Sequence, residues 1–285
     1  MKAETLRKKP IGIFDSGIGG LTVVREIINL LPDESIVYLG DTARVPYGIR
    51  SRETVLKYAI ENTLFLKQTG VKLLVVACNT VSAAGLEVLE QFIPVKTVGV
   101  LKPGVRAAVS TTRSGRIGII GTEGTIRSGA YQREILQILP DAKILAEPCP
   151  LFVPLVEEGI LDGPITDLII DRYLNGLKRS AIDTLVLGCT HYPLLKKAIA
   201  DYMGDEVMLI DSAIETSKTV KKILLEEGLL NDDARSERKF YVTDSPERFK
   251  QIGRLFLGDI MNGVEQVSLP EKTEFLTEIL KGGIR

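Results

Sequence analysis

Two of the three cysteines, Cys78 and Cys189, occur in the same local sequence context. One segment reads LLVVACNT and the other reads TLVLGCTH, so in each an apolar run ends in a small residue, then cysteine, then polar residues. A cysteine at the carboxyl end of a parallel strand projects into the crevice where α/β proteins bind ligands. Two matched thiols facing one site would form a pair of proton carriers, one acting as acid and the other as base.

The predicted position of each cysteine also affects its acidity. A helix amino end stabilises a thiolate, and an ordinary cysteine pKa of about 8.5 needs only a modest reduction to give a base near neutral pH. Free cysteines are also often buried as small apolar residues, which is the structural alternative for both. The repeated context favours chemistry for Cys78 and Cys189. Cys149, flanked by prolines and without a polar successor, is predicted to be structural.

A glycine-rich turn, DSGIGG at Asp15–Gly20, follows another apolar run. With Asp41 at the end of the next predicted strand, this turn has features of a dinucleotide-binding fingerprint. Thr22, however, stands where the third glycine or alanine of that fingerprint belongs. A turn that holds a small zwitterion fits better, with Asp15 facing an ammonium group or steering a nearby proton. Capping of the next helix by Asp15 is the structural alternative.

Two further polar loops follow predicted strands. DTARVPYG at Asp41–Gly48 is placed to bind a ligand, although alone it is a weak signal. GTEGT at Gly121–Thr125 mirrors the Asp15 turn, and its hydroxyl and helix N–H groups are suited to hold a carboxylate. Helix capping explains either threonine of that loop equally well.

His191 is the single histidine of the chain and lies two residues after Cys189. That placement predicts a proton partner for the Cys189 thiol. Glu157 and Glu158 form an acidic pair, and one of them could turn inward toward the Cys189 side. A zinc site from the cysteines and His191 is conceivable, but no CxxC or HxxxH spacing supports it, so we expect no metal.

Short β-branched runs alternate with longer amphipathic segments along the chain. The predicted strands are Ile11–Asp15, Ser35–Asp41, Leu73–Cys78, Val95–Val100, Arg116–Gly121, Lys143–Ala146, Thr184–Cys189 and Val207–Asp211, with Lys239–Thr243 in the tail. The predicted helices include Thr22–Leu31, Ser51–Gln68, Ser128–Leu139, Pro164–Ser180 and Pro193–Tyr202. This βαβ rhythm predicts an α/β fold with mainly parallel sheets covered by helices on both faces.

The first and second sets of strands resemble each other, because IGI at Ile11–Ile13 is repeated at Ile117–Ile119. An internal duplication is the economical interpretation. It predicts two similar doubly wound lobes with the active site in the cleft between them. We expect residues 1–100 plus 211–285 to form the first lobe and residues 101–210 to form the second.

Composition limits the partners of this 285-residue chain. With 36 basic and 37 acidic residues the net charge is −1, so no nucleic-acid partner is implied. There is no apolar run of about 18 residues, and Met1–Pro10 lacks the apolar core of a signal peptide. Three cysteines without a CxxC pair argue against a disulfide framework. We expect a cytoplasmic protein with reduced thiols and no membrane association.

Together and in order, these motifs resemble those of the glutamate racemases, in the aspartate/glutamate racemase family. The matching segments are DSGIGGL at Asp15–Leu21, DTARVPYG at Asp41–Gly48, ACNTVSA at Ala77–Ala83, CPLFVPLVEEG at Cys149–Gly159 and GCTHYPLL at Gly188–Leu195. They span nearly the whole chain. The set is specific, even though each segment alone is not.

The resemblance implies cofactor-independent interconversion of L- and D-glutamate, supplying D-glutamate for peptidoglycan. In that family one thiolate removes the α-proton and a second thiol reprotonates the opposite face, and by motif position these are Cys78 and Cys189. The resemblance further implies that Asp15 assists Cys78, whereas His191 and Glu157 assist Cys189. Glu158 stays an alternative to Glu157, because the local spacing could slip by one residue.

The resemblance also implies which residues hold the carboxylates and ammonium group of the substrate: Asp15, Ser16, Tyr47, Gly48, Asn79, Thr80, Thr122, Thr125, Thr190 and His191. It implies a homodimer as well. Two other interpretations remain open. One is a racemase of the same family acting on aspartate or another substrate; the other is a non-catalytic protein that closes on an amino acid, which would have no use for paired thiols.

Overall fold

The computed structural model describes residues 2–233, 235–261 and 263–270. The strands are β1 (Ile11–Asp15), β2 (Ile36–Gly40), β3 (Leu73–Val76), β4 (Thr97–Gly99), β5 (Arg116–Gly121), β6 (Lys143–Pro148), β7 (Thr184–Gly188), β8 (Met208–Asp211), β9 (Arg238–Val242) and β10 (Val264–Gln266). The helices are α1 (Lys2–Arg7), α2 (Leu21–Leu30), α3 (Arg52–Gln68), α4 (Asn79–Glu90), α5 (Leu101–Thr111), α6 (Glu123–Ser128), α7 (Ala130–Ile138), α8 (Phe152–Glu157), α9 (Pro164–Arg179), α10 (Lys196–Met203), α11 (Ser212–Glu226) and α12 (Pro246–Leu257).

These strands form two sheets, which we call the six-stranded sheet and the four-stranded sheet. Their strand orders are β10-β9-β2-β1-β3-β4 and β6-β5-β7-β8. Every pairing between these strands is parallel, which confirms the predicted α/β fold with mainly parallel sheets. The strand predicted in the tail is β9, and it pairs with β2. The order β2-β1-β3-β4 has the same sequence of connections as β6-β5-β7-β8, as an internal duplication requires.

The repeated IGI motif lies on the central strands β1 and β5, and its glycine has the same packing role in both. A Cβ on Gly12 would lie 2.7 Å from Val71 Cγ1, and a Cβ on Gly118 would lie 2.5 Å from Ile182 Cδ1. Val71 and Ile182 immediately precede the strand regions that lead to the two cysteines. In both sheets, therefore, a β-branched side chain fills the space that only a glycine leaves open.

Two predicted helices are divided in the structure. The segment Ser128–Leu139 contains the end of α6 and all of α7, because Gly129 adopts a left-handed φ of 64° between them. The segment Pro193–Tyr202 begins inside a 3₁₀ turn at Tyr192–Leu195, and α10 follows it. Among the helices of the described ranges, none combines the length and apolarity needed to cross a lipid bilayer.

A buried ion pair at the amino end of β3 fixes three separate segments to the six-stranded sheet. Lys72 Nζ lies 2.5 Å from Glu34 Oε2, and the two side chains are 0% and 2% exposed. The same ammonium donates to the carbonyl oxygens of Arg7 at 2.6 Å and Leu229 at 2.9 Å. The backbone N–H of Asn231 donates to the other Glu34 oxygen. These bonds hold the end of α1 and the chain beyond α11 against the sheet.

We expect Lys72→Ala to lower the free energy of unfolding by about 3–5 kcal/mol, because Glu34 would remain buried without a counter-charge. Urea unfolding followed by circular dichroism measures this loss. Lys96→Ala is the control, since it breaks an exposed pair with Glu227 and should cost less than about 1 kcal/mol. Equal, small losses in both variants would contradict the role assigned to Lys72.

Candidate active site

Side chains that follow β1, β3, β5 and β7 meet between the two sheets. Thr190 Oγ1 donates to Asp15 Oδ1 at 3.4 Å, which joins the turn after β1 to the turn after β7. Thr80 Oγ1 lies 3.0 Å from Thr122 Oγ1, which joins the start of α4 to the loop after β5. Motifs that are far apart in the sequence thus form one polar cluster.

Cys78 occupies the N-cap of α4 and is 4% exposed. Its burial, together with the neighbouring Asp15 carboxylate, raises the pKa of the Cys78 thiol to about 12, although hydrogen bonds from the Val81 backbone and the Ser16 hydroxyl oppose this shift. The expectation that the helix amino end would make Cys78 more acidic was therefore wrong, because desolvation of the thiolate outweighs the helix contribution. At neutral pH the Cys78 sulfur holds its proton.

Asp15 is fully buried, and it organises the glycine-rich turn. Its Oδ2 accepts the backbone N–H of Gly17 at 3.1 Å, whereas Gly20 is the N-cap of α2 and has no side-chain cap. Burial raises the pKa of Asp15, against the opposing effects of His191 and of backbone N–H groups in the turn. A carboxyl group with a raised pKa beside a thiol is suited to exchange protons with it.

The glycine turn permits a close approach by the imidazole from the four-stranded sheet. A Cβ on Gly19 would lie 2.4 Å from His191 Nδ1, so any side chain there would displace the imidazole. Thr22, which stands where a dinucleotide fingerprint has glycine or alanine, donates from its Oγ1 to the Thr190 carbonyl at 3.0 Å. Both contacts hold the turn after β1 against the turn after β7.

Cys189 has a histidine and a carboxylate arranged behind it. His191 Nδ1 is 3.9 Å from the Cys189 sulfur, and His191 Nε2 is 3.1 Å from Glu157 Oε1. Burial works against the imidazolium, but its hydrogen bonds with Cys189 and Glu157 prevail and raise the pKa of His191 to about 10. A positive charge therefore lies beside the Cys189 sulfur.

The structural context of Cys189 differs from the predicted one. Cys189 is followed by a 3₁₀ turn at Tyr192–Leu195 and not directly by an α-helix, because the chain turns through Thr190 and His191 first. The expected helix amino end is therefore absent at this cysteine. The positive charge beside this sulfur belongs to the His191 side chain.

Glu157 and Glu158 have distinct environments, which resolves the ambiguity left by the sequence. Burial opposes ionisation of Glu157, but the hydrogen bond and the charge of His191 dominate and lower its pKa. Glu158 lies 3.6 Å from Arg248, and both side chains are about two-thirds exposed. The carboxylate behind the imidazole is that of Glu157.

Three threonine hydroxyls form a cluster at the junction of the two sheets. Thr80 Oγ1 lies 3.3 Å from Thr125 Oγ1, and Thr122 Oγ1 lies 3.0 Å from Thr125 Oγ1. Thr122 also caps α6 by accepting the Thr125 backbone N–H. Gly48 joins the same junction, because its carbonyl accepts the N–H of Gly124 at 2.7 Å. Capping and ligand binding are thus compatible roles for Thr122.

The Tyr47 hydroxyl is engaged behind its loop. It donates to Asp41 Oδ2 and accepts from Asn62 Nδ2 at 3.2 Å. Asp41 also accepts from Arg44 at 2.7 Å, and Arg44 in turn contacts the nearly buried Glu61. In this arrangement the Tyr47 proton goes to Asp41. This cluster fixes the loop that presents Gly48.

Sequence reasoning missed Tyr131, which lies inside a predicted amphipathic helix like any core residue. Its hydroxyl donates to Asn79 Oδ1 at 2.7 Å.

The Cys149 thiol is buried and donates to the Glu147 carbonyl at 3.6 Å, and the Cys149 carbonyl accepts a hydrogen bond from the Tyr192 hydroxyl. In the part of the chain that the structure describes, no three His, Cys, Asp or Glu side chains cluster as metal ligands would.

Comparison with known proteins gives concordant results. A sequence model of the Asp/Glu/Hydantoin racemase family matches residues 11–218. A glutamate racemase from Geobacter metallireducens is 52% identical over 267 residues, which cover 93% of this chain and 99% of the relative. The structure of a glutamate racemase isoform from Bacillus anthracis superposes with a TM-score of 0.90 at 42% identity, covering 93% of this chain and 100% of that one. The Francisella tularensis glutamate racemase, solved in complex with D-glutamate, has a TM-score of 0.87 at 40% identity, covering 92% and 98%.

We expect Glu157→Gln to lower the pKa of His191 by at least about one unit, because the imidazolium loses its carboxylate partner. The chain has one histidine, so a single imidazole Cε1–H signal in an NMR titration reports this pKa. Glu158→Gln is the adjacent control and should leave the titration unchanged. If Glu157→Gln also left it unchanged, the assigned pairing would be incorrect.

The raised pKa of His191 also has a consequence for stability. A group whose pKa is higher in the folded state than in the unfolded state stabilises the folded state. This stabilisation is complete below the unfolded pKa, which for histidine is about 6.5. This contribution should then be lost as the pH rises through about 10, the pKa of folded His191. The loss should be smaller in Glu157→Gln than in Glu158→Gln when unfolding is measured across that range.

Proposed function

This chain belongs to the Asp/Glu/Hydantoin racemase family and is an amino-acid racemase, and we propose that it interconverts L- and D-glutamate. One observation carries the proposal. Two buried thiols end equivalent strands of the two sheets, and each has its own proton partner: Asp15 beside Cys78, and His191 beside Cys189. The substrate assignment is supported by relatives named as glutamate racemases, which are about half identical to this chain over more than nine-tenths of its length.

The two thiols suit a two-base proton transfer. A proton on the carbon next to a carboxylate is a poor acid, so its removal needs a closed, water-poor site with aligned donors. In one direction the Cys189 thiolate, stabilised by the His191 imidazolium, removes the α-proton. The Cys78 thiol, kept protonated by its burial, gives its proton to the opposite face of the α-carbon. In the other direction the roles exchange. Both proton transfers use thiols of this chain, so we propose that no cofactor takes part.

The remaining predicted residues are proposed to bind the substrate. The threonine cluster of Thr80, Thr122 and Thr125 offers hydroxyl donors to a carboxylate, with Thr190 and Ser16 beside the two cysteines. Gly48 offers backbone groups from the loop fixed by Tyr47, which acts through that loop. Asp15 is proposed to bind the ammonium group as well, and the cationic His191 a carboxylate, in addition to proton exchange.

Several broader predictions remain proposals. We retain two lobes, residues 1–100 plus 211–285 and residues 101–210, for which the composition of the two sheets is the support. The last part of the first lobe, residues 271–285, lies outside the described residues. A homodimer, a cytoplasmic location and supply of D-glutamate for peptidoglycan are proposed on the family resemblance.

Incubation with L-glutamate in deuterated water, without pyridoxal phosphate, tests the proposed reaction. We expect D-glutamate that carries deuterium at the α-carbon, until both enantiomers are equally abundant. NMR and chiral chromatography follow the two changes. L-Aspartate serves as the parallel substrate. Exchange with aspartate and none with glutamate would transfer the assignment to the aspartate racemases, and exchange with neither would refute the proposed reaction for both.

Replacing Cys78 or Cys189 by serine should lower kcat for racemisation by about 10²–10⁴-fold, because a hydroxyl is a far weaker acid and base than a thiol. Cys149→Ala is the control: its thiol donates to the Glu147 backbone carbonyl and has no carboxyl or imidazole partner of its own, so turnover should stay near that of the wild type. Wild-type turnover in either serine variant would rule out the two-base mechanism.

A further inference from the structure

Tyr131 connects the segments that carry the two cysteines. It lies on α7 and is 1% exposed. Its ring packs against the end of β7, where a Cβ on Gly188 would lie 3.3 Å from Tyr131 Cε2. Its hydroxyl reaches the first residue of α4 and donates to Asn79 Oδ1 at 2.7 Å. Tyr131 thus contacts the residue before Cys189 and the residue after Cys78.

The tyrosine hydroxyl is the donor in this hydrogen bond. Burial raises the pKa of Tyr131, with a further contribution from Cys189, so the hydroxyl stays protonated at neutral pH. Its second contact is Ser212 Oγ at 3.4 Å, and that serine hydroxyl also donates to the Leu187 carbonyl at 3.3 Å. The tyrosine hydroxyl has one proton, and it goes to the nearer acceptor, the Asn79 amide oxygen.

A hydrogen bond to the amide oxygen determines what Asn79 can offer a ligand. A side-chain amide has an acceptor oxygen and a donor NH2 group on opposite branches. With the oxygen occupied by Tyr131, the NH2 group is the part left for other partners. In the described residues, Asn79 Nδ2 donates to no other protein group. Asn79 is also only 3% exposed, so bulk water does not replace Tyr131 as the partner of the amide oxygen.

We propose that Tyr131 is a positioning residue, which orients the Asn79 amide so that its NH2 group donates to a substrate carboxylate. This inference rests on the proposed racemase function, and it sharpens the role of Asn79: an amide held in this orientation recognises a carboxylate and cannot accept from the ammonium group. Because Asn79 directly follows Cys78, whose sulfur serves the α-carbon in the proposed reaction, we assign the α-carboxylate to it, and this carboxylate gains negative charge as the α-proton leaves. A donor aimed at it therefore stabilises the transition state more than the bound substrate.

Tyr131→Phe removes the hydroxyl and keeps the ring. The hydrogen bond that holds the Asn79 amide oxygen away from the carboxylate is then lost, and its free energy no longer favours the orientation in which the NH2 group donates. We expect kcat to fall about 3- to 10-fold, the size of one neutral hydrogen bond, with a smaller change in KM. A purely structural role predicts loss of stability and of active enzyme, without a selective effect on kcat per folded molecule.

A double-mutant cycle with Asn79→Ala separates orientation of the amide from general packing. Once Asn79 lacks its amide, Tyr131→Phe should change kcat by less than about twofold, because no amide remains to be oriented. An equal loss of kcat in both backgrounds would overturn the inference, as would full wild-type kcat in Tyr131→Phe. Ser212→Ala is the matched control. It removes the other hydroxyl partner of Tyr131 and should leave kcat unchanged.

The same variants show which proposal fails, if one does. If the wild-type enzyme racemises glutamate and Tyr131→Phe is fully active, the role of Tyr131 is refuted and the proposed function stays intact. Wild-type enzyme without glutamate racemisation would refute the proposed function and the catalytic consequence drawn from it. Coupling between Tyr131→Phe and Asn79→Ala in urea unfolding then tests the hydrogen bond itself, and additive stability losses would show that the two groups do not interact.

Discussion

Desolvation of ionisable groups between the two sheets is the constraint on which the site depends. A thiol, a carboxyl group or an imidazole buried there cannot hold a charge unless another group compensates it. His191 stays protonated because Glu157 and Cys189 surround it, whereas Cys78 has a carboxylate neighbour and keeps its proton. The two cysteines have similar backbone positions but opposite electrostatic environments. The proposed two-base mechanism rests on this difference in neighbours: an imidazolium beside Cys189 and a carboxyl group beside Cys78.

The burial itself is a product of contacts between the turns that follow β1, β3, β5 and β7. The glycine turn after β1 packs so closely on His191 that a side chain at Gly19 could not fit. The bond from Thr22 to the Thr190 carbonyl and the threonine cluster hold the same faces together. Both sulfurs are consequently almost inaccessible to water. A water-poor environment of this kind is what proton abstraction from carbon needs.

Part of this arrangement was predictable from local patterns. Apolar runs followed by polar turns indicated which residues end parallel strands, and the ends of such strands gather at one edge of a sheet. The repeated IGI motif indicated two related sheets, and the shared strand order agrees with that. Other features depended on the direction in which a side chain points, which local sequence patterns do not specify. Nothing in the spacing distinguished Glu157 from Glu158, or showed that the Tyr47 hydroxyl bonds to Asp41. Tyr131 occupies a position on the apolar face of its predicted helix, and only the folded chain brings its hydroxyl to Asn79 on a distant helix.

The sequence by itself determined the order of strands and helices, the candidate proton carriers and the family resemblance, because these follow from residue type and near-neighbour spacing. Tertiary structure decided the pKa of Cys78 and of the two proton partners, Asp15 and His191. Cys78 was expected to be acidic at a helix amino end, yet burial beside Asp15 has the larger effect; the predicted helix start at Cys189 is absent, and His191 takes its place. Such shifts arise from desolvation and from charges on segments distant in sequence. They exist only once the two sheets have come together and excluded water.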